Sequence, residues 1–190
     1  MPITFNAVNP NNIIHYCHHG TNVITIYDKI AQTKRNVQSN RSIPNGSHSI
    51  SFNDKIFIMG GSPPSKDVYE VVVNTCCCNL KTPNIIEKYG HGICSTTDSI
   101  FSIGGCNSSH LADCERYDVG LDKWDNIPKM NQVRRDAAVF VYDSKIIYAL
   151  GGSNGSYDTN TVERINLMNA DKWEYVNVVS PFSVRRKQVK

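Results

Sequence analysis

No run of apolar residues in this 190-residue chain is long enough to cross a membrane as a helix, which takes about 20 in succession. The opening residues Met1-Pro2-Ile3-Thr4-Phe5 lack the basic segment and apolar core of a secretory leader. No segment keeps a helical period over three turns. Charge of one sign is scarce as well. A net charge of +3 is too small to point to nucleic acid, and the basic residues are scattered apart from Arg134-Arg135 and Arg185-Arg186-Lys187. Phosphate loops are missing too: the glycine pairs have neither a following Lys-Ser/Thr nor the spaced third glycine of a dinucleotide site.

Metal and catalytic patterns are also lacking. His15-Tyr16-Cys17-His18-His19 is rich in ligand atoms, but zinc takes four ligands, often in paired short spacings, and the second pair is missing. On a strand, His18 and His19 would point apart. Cys76-Cys77-Cys78 fails for the same reason, and a reduced cysteine behaves as a small buried hydrophobe. His48, His91 and His110 have no nucleophile at a telling distance in sequence. No cofactor, metal site or catalytic set is therefore expected. Seven cysteines, an odd number without a leader, point to reduced thiols inside a cell.

A repeat is what the chain does have. Three apolar runs end in a glycine doublet: Ile56-Phe57-Ile58-Met59-Gly60-Gly61, Ile100-Phe101-Ser102-Ile103-Gly104-Gly105 and Ile147-Tyr148-Ala149-Leu150-Gly151-Gly152. The doublets lie 44 and 47 residues apart, the period of propeller blades. Each run follows a polar turn, the last one Tyr142-Asp143-Ser144. Near-continuous apolar strands suit a blade packed on both faces. A glycine doublet marks a strand end, a bend or a close backbone approach. Downstream, Glu115-Arg116-Tyr117-Asp118 precedes Lys123-Trp124, and Val162-Glu163-Arg164-Ile165-Asn166 precedes Lys172-Trp173. Each Trp would bury a large area and lock one blade against its neighbour.

Hydrophobic run, Gly-Gly and a spaced Tyr and Trp together resemble the kelch repeat. The stretch from Pro128 to Val139 looks like the blade junction of BTB-kelch proteins. The resemblance runs from about Ser47 to Arg186, with drift: Ile165 stands where the earlier unit has Tyr117, and the second unit has no Trp. It implies an all-β fold, a kelch-type β-propeller of about four blades of four-stranded antiparallel sheet, as an incomplete or open ring. The Asn-, Ile-, Lys- and Tyr-rich composition adds a likeness to the shortened kelch proteins of poxviruses.

One kelch-repeat domain over 1–190 is expected, with a degenerate unit at 1–44, units at 45–90, 91–135 and 136–183, and the start of another blade at 184–190. Strands a to d fall at 47–52, 55–59, 68–74 and a weak 76–80 in the second unit. In the third they fall at 92–96, 100–103, 114–118 and 124–127, and in the fourth at 137–142, 145–150, 162–166 and 173–176. In the first unit, 13–17 reads as b and 22–28 as c, with His19-Gly20 in the doublet position. Residues 3–8 are either a leftover d strand or a partial a strand. Because 184–189 repeats 133–138, the chain stops as another a strand would begin, as in a truncated array or a ring that closes on its first blade. Open edges would invite pairing into oligomers.

Function in a propeller sits on exposed loops. In BTB-kelch proteins the b–c and d–a loops of one face grip a partner peptide. The positions this implies here are Arg134, Arg135, Asn154, Tyr157, Arg185 and Arg186, residue types favoured at binding hot spots. The expected partner is a protein, through an acidic peptide segment, and neither nucleic acid nor a membrane. The resemblance implies a non-enzymatic interaction module of the kind that recruits substrates to cullin-3 ubiquitin ligases. No BTB segment is visible in these residues, so cullin binding in the usual way is not expected of them. A propeller-scaffold enzyme and a remnant without selected activity are the alternatives. The expected location is the cytoplasm, the host's if the source is a virus.

Overall fold

The computed structural model describes residues 13–177 other than Asp54, Cys76 and Ala170. They form four antiparallel sheets, each a meander of strands paired in sequence order, with one short 3-10 turn at Leu167–Asn169. Blade 1 holds β1 (Ile13–Cys17), β2 (Val23–Asp28) and β3 (Thr33–Gln38). Blade 2 holds β4 (His48–Phe52), β5 (Lys55–Met59), β6 (Val68–Val72) and β7 (Cys78–Leu80). Blade 3 holds β8 (Gly92–Ser95), β9 (Ser99–Ile103), β10 (Cys114–Asp118) and β11 (Lys123–Ile127). Blade 4 holds β12 (Ala138–Tyr142), β13 (Ile146–Leu150), β14 (Val162–Asn166) and β15 (Glu174–Val176). The first strands of blades 2, 3 and 4 lie beside one another, β4 against β8 and β8 against β12. Among the described residues no substantial contact joins β12 to β1, so the described blades form an open arc.

Blade 1 differs from the others. Its three described strands take the roles b, c and d, and residues 3–8 lie outside the described residues, as do 184–189. β3 was not foreseen, because Thr33-Lys34-Arg35-Asn36-Val37-Gln38 has one buried side chain, Val37, and no alternation to betray it. It is an edge strand defended by Lys34 and Arg35. In blade 2 the third strand stops at Val72, not 74. The Val72 N–H donates to Cys77 O at 3.0 Å and closes the hairpin there, which leaves only Cys78–Leu80 for β7.

The core lies between blades. Cys17, Ile24, Ile26 and Val37 of blade 1 meet Ile56, Ile58, Tyr69 and Val71 of blade 2. Phe52, Phe57, Met59 and Val68 on the other face of blade 2 meet Ile100, Tyr117 and Trp124 of blade 3. Cys94, Phe101, Ile103 and Cys114 then meet Ile147, Ala149, Ile165 and Trp173 of blade 4. Burial pushes the Cys17 thiol up to about 11 and Cys114 to about 12, so these cysteines are unreactive hydrophobes. Both tryptophans fasten their blade to the linker that enters it: Trp124 Nε1 donates to Thr82 O at 2.9 Å, and Trp173 Nε1 to Pro128 O at 2.8 Å. His15 acts at the first junction, with Nδ1 at 2.7 Å from Ser51 Oγ and Nε2 at 2.9 Å from Ser49 Oγ.

The second glycine of each doublet sits over the linker that leads into its own blade. Gly152 has φ +88°, and a Cβ there would meet Arg135 O at 2.7 Å. A side chain would clash with backbone and strain the chain at once. Gly152→Val should therefore lower stability by about 1–3 kcal/mol, the range for strained backbone positions. An unshifted thermal melt would contradict this.

Acid should loosen the arc. Burial holds the imidazoles of His15 and His48 down at about 4, against roughly 6.5 in the unfolded chain. The unfolded chain thus takes up protons first as pH falls. The stability from keeping each ring neutral is complete above pH 6.5 and drains away towards pH 4. At pH 5 the loss should be about 2 kcal/mol per ring. Urea midpoints at pH 7.5 and 5.0 measure it, and His15→Gln should flatten the dependence.

Candidate functional site

Between one blade's last strand and the next blade's first, the linker is extended, so neighbouring side chains alternate. Lys88 and Arg134 occupy one position in successive linkers and point inward; Tyr89 and Arg135 follow and point to the rim. The inward position joins two blades. Its carbonyl accepts the N–H of the preceding blade's second glycine, Gly61 to Lys88 O at 3.1 Å and Gly105 to Arg134 O at 2.8 Å. Its side chain enters the following blade.

Arg134 is wholly buried. Its guanidinium donates to Glu163 Oε1 (2.9 Å from Nη2), to the carbonyls of Gly151 at 2.7 Å and Thr161 at 3.1 Å, and to Thr161 Oγ1 at 2.6 Å. Glu163 Oε2 is taken up by the backbone N–H and side-chain amide of Asn131, at 2.7 and 2.8 Å. The expectation that Arg134 grips a partner is therefore corrected. Every donor direction is spent inside the blade, and the residue is a strut. Charge-assisted, multiply bonded pairs of this kind hold geometry well.

Blade 3 repeats the strut with a poorer cation. Lys88 Nζ lies 3.4 Å from Glu115 Oε2, both side chains fully buried. The pair lacks good hydrogen-bond geometry. Burial pushes the Lys88 ammonium down and the Glu115 carboxyl up, while their mutual attraction opposes both. Ser102 is paired with Glu115 across the strands, where blade 4 has Ala149 opposite Glu163. In blade 2 both partners are gone together: Pro44 replaces the cation and Tyr69 the carboxylate, and Arg41 lies over the Tyr69 ring at 5.4 Å. Neither charge is left buried alone, which would be costly. Sequence reading missed these carboxylates. The signal was there in Glu115 and Glu163, each the second residue of its blade's third strand.

The rim gathers the other expected residues. Arg135 and Ser153 exchange backbone hydrogen bonds at 2.9 and 2.8 Å, which ties the linker to the loop after β13. Ser153 also bridges to Asp158 and closes that loop. Asn154 Oδ1 accepts the N–H groups of Ser156 and Tyr157, both at 3.0 Å, so the turn is held by its own side chain and Tyr157 stands out, 63% exposed. The structure thus brings Arg135, Asn154 and Tyr157 together on one rim. Arg135 pairs with exposed Asp136 at 3.1 Å. Blade 3 builds the same ladder from Tyr89, Cys106 and His110. Arg185 and Arg186 lie outside the described residues.

Other candidates separate. His15 faces blade 2, while His18 Nε2 meets Thr25 Oγ1 at 2.8 Å. Among the described residues, no group of three or more His, Cys, Asp or Glu is placed to hold a metal ion, and no helix is long and apolar enough to cross a membrane.

The Kelch motif family matches residues 87–131 and 134–177. Those two segments, which hold blades 3 and 4, are each similar to the kelch motif. A kelch repeat and BTB domain-containing protein of Caenorhabditis elegans is 29% identical over 117 residues, 54% of this chain and 19% of that protein. Kelch-like protein 36 of Rattus norvegicus is 29% identical over 116 residues, 53% of this chain and 18% of that one. Kelch repeat and BTB domain-containing protein 2 of cowpox virus is 27% identical over 124 residues, covering 63% of this chain and 22% of that protein. This chain thus spans about a fifth of the length of these relatives. The solved structure of YjhT shares the fold, with a TM-score of 0.66 at 17% identity over 82% of this chain and 52% of that chain.

The two struts can be ranked by substitution. Arg134→Ala leaves Glu163 buried without its cation and should lower stability by about 3–5 kcal/mol. Lys88→Arg supplies donors that the ammonium lacks and should raise it by about 1 kcal/mol. Chemical denaturation of both variants checks the order.

Proposed function

We propose that this chain is a non-enzymatic protein-interaction module whose linker rim binds an acidic segment of a partner protein. The observation that carries the reading is the split of the arginine pair. Arg134 is consumed as a strut, and its backbone fixes Arg135 beside Asn154 and Tyr157 on a turn closed by its own hydrogen bonds. A rigid rim offering a guanidinium and a phenol suits carboxylate recognition, where Arg can fork onto both oxygens. The Arg135–Asp136 pair is exposed and therefore weak, so a ligand carboxylate can replace it. Tyr89, at the Arg135 position one blade earlier, extends the same rim.

Likeness to BTB-kelch proteins supports the finer part of the proposal. The chain acts as a recognition element of the kind that selects substrates for cullin-3 ubiquitin ligases, in the cytoplasm, and in the host's if the source is a virus.

An array of Asp- and Glu-containing peptides tests the rim. Binders should be enriched in carboxylates. Arg135→Ala with Tyr157→Ala should weaken a selected peptide by about tenfold or more, with an unchanged melt. Asp136→Asn should strengthen it. Binders without acidic preference, or full binding by the double variant, would place recognition elsewhere.

A further inference from the structure

Every described junction in this arc is made by the same two faces. The leading face of a blade carries a cross-strand pair from its second and third strands. That pair is Ile56–Val71 in blade 2, Ile100–Tyr117 in blade 3 and Ile147–Ile165 in blade 4. All six side chains are buried against the preceding blade, at 1% exposure or less. The trailing face carries a ring at one position of the second strand, Phe57 in blade 2 and Phe101 in blade 3, buried against the following blade. At the junction of blades 2 and 3 the two faces meet ring to ring, with Phe57 and Tyr117 edge-on at 5.9 Å.

Both faces recur, uncovered, at the two ends of the arc. In blade 1 the leading pair is Ile14–Tyr27, in the register of Ile100–Tyr117, yet 51% and 38% exposed. In blade 4 the trailing ring is Tyr148, stacked on its cross-strand partner Phe140 at 5.2 Å. Phe140 is 38% exposed and Tyr142 beside it 61%. Their counterparts on the trailing faces of blades 2 and 3, Ile50, Phe52 and Cys94, all pack against the next blade.

We propose that the trailing face of blade 4 receives the leading face of blade 1 from a second copy of this chain. The fit follows from the junctions already present. Tyr148 stands where Phe57 stands, and Tyr27 stands where Tyr117 stands, so docking remakes the ring contact of blades 2 and 3. The face that covers a trailing face in this fold is a leading face, and the chain carries a spare one. The contact is heterologous, since it joins two different patches. Used in both directions, it closes two copies into eight blades, within the range of known propellers. It leaves the rim of Arg135 and Tyr157 free and stands whether or not that rim binds an acidic peptide.

Sedimentation velocity of the full chain between about 1 and 100 µM tests it, together with two variants. Phe140→Asp spoils only the trailing face, and Ile14→Asp only the leading face. The wild type should associate, and each variant alone should lose association at least tenfold. Mixed in equal amounts, the variants should form a heterodimer, visible by native mass spectrometry, because each keeps the face that the other lacks. That rescue also shows that both variants are folded. A wild type that stays monomeric at 100 µM overturns the proposal and leaves another part of the chain to cover these faces. Association of either variant with itself as tightly as wild type overturns it as well.

Discussion

The arc depends on the linker residue that belongs to two blades. Lys88 and Arg134 each take a glycine N–H from the blade behind and send a cation into the blade ahead. Without that carbonyl the preceding doublet would lose its acceptor, and without that cation the carboxylate ahead would be stranded in the core. The glycine at the doublet, the extended linker and the buried carboxylate are thus one device. Removing any member leaves a buried polar group unpaired, which is costlier than never having built the device. Blade 2 illustrates the permitted exception, since Pro44 and Tyr69 replace both charges at once.

Much of this fold was legible because its strands are apolar on both faces and its turns are polar. Runs such as 55–59, 100–103 and 145–150 could hardly be read otherwise. β3 escaped notice because an edge strand with one buried residue leaves no alternation. β7 came out shorter than expected because the turn before it draws Cys77 into a hairpin bond. The rim was half legible. Arg134 and Arg135 look equivalent as letters, and only the carboxylate 29 residues after Arg134 distinguishes strut from rim. Spacing of that kind spans two strands and a loop, so it has meaning only once the blade register is known.

The junctions also rank the blades. Blade 4 has the guanidinium strut and a Trp, blade 3 an ammonium strut and a Trp. Blade 2 has neither. Its hold on its neighbours comes from the apolar faces around Phe57 and Ile58, from the His15 clamp and from Arg41 over Tyr69. In an array where each unit contacts only its neighbours, such differences stay local. Opening is therefore expected to begin around blade 2 and the acid-sensitive His15 junction, with blades 3 and 4 holding longer.

The placing of cation and carboxylate has a consequence for how such arrays change length. Lys88 and Glu115 both fall within the matched segment 87–131, and Arg134 and Glu163 both fall within 134–177. The heritable module therefore runs from linker to linker, not from first strand to fourth. A duplication or deletion cut at the linker carries each buried charge along with its counter-charge. A cut half a unit away would separate them and strand an ion in apolar surroundings. Copy number in such an array can drift by whole modules without passing through an unfoldable intermediate.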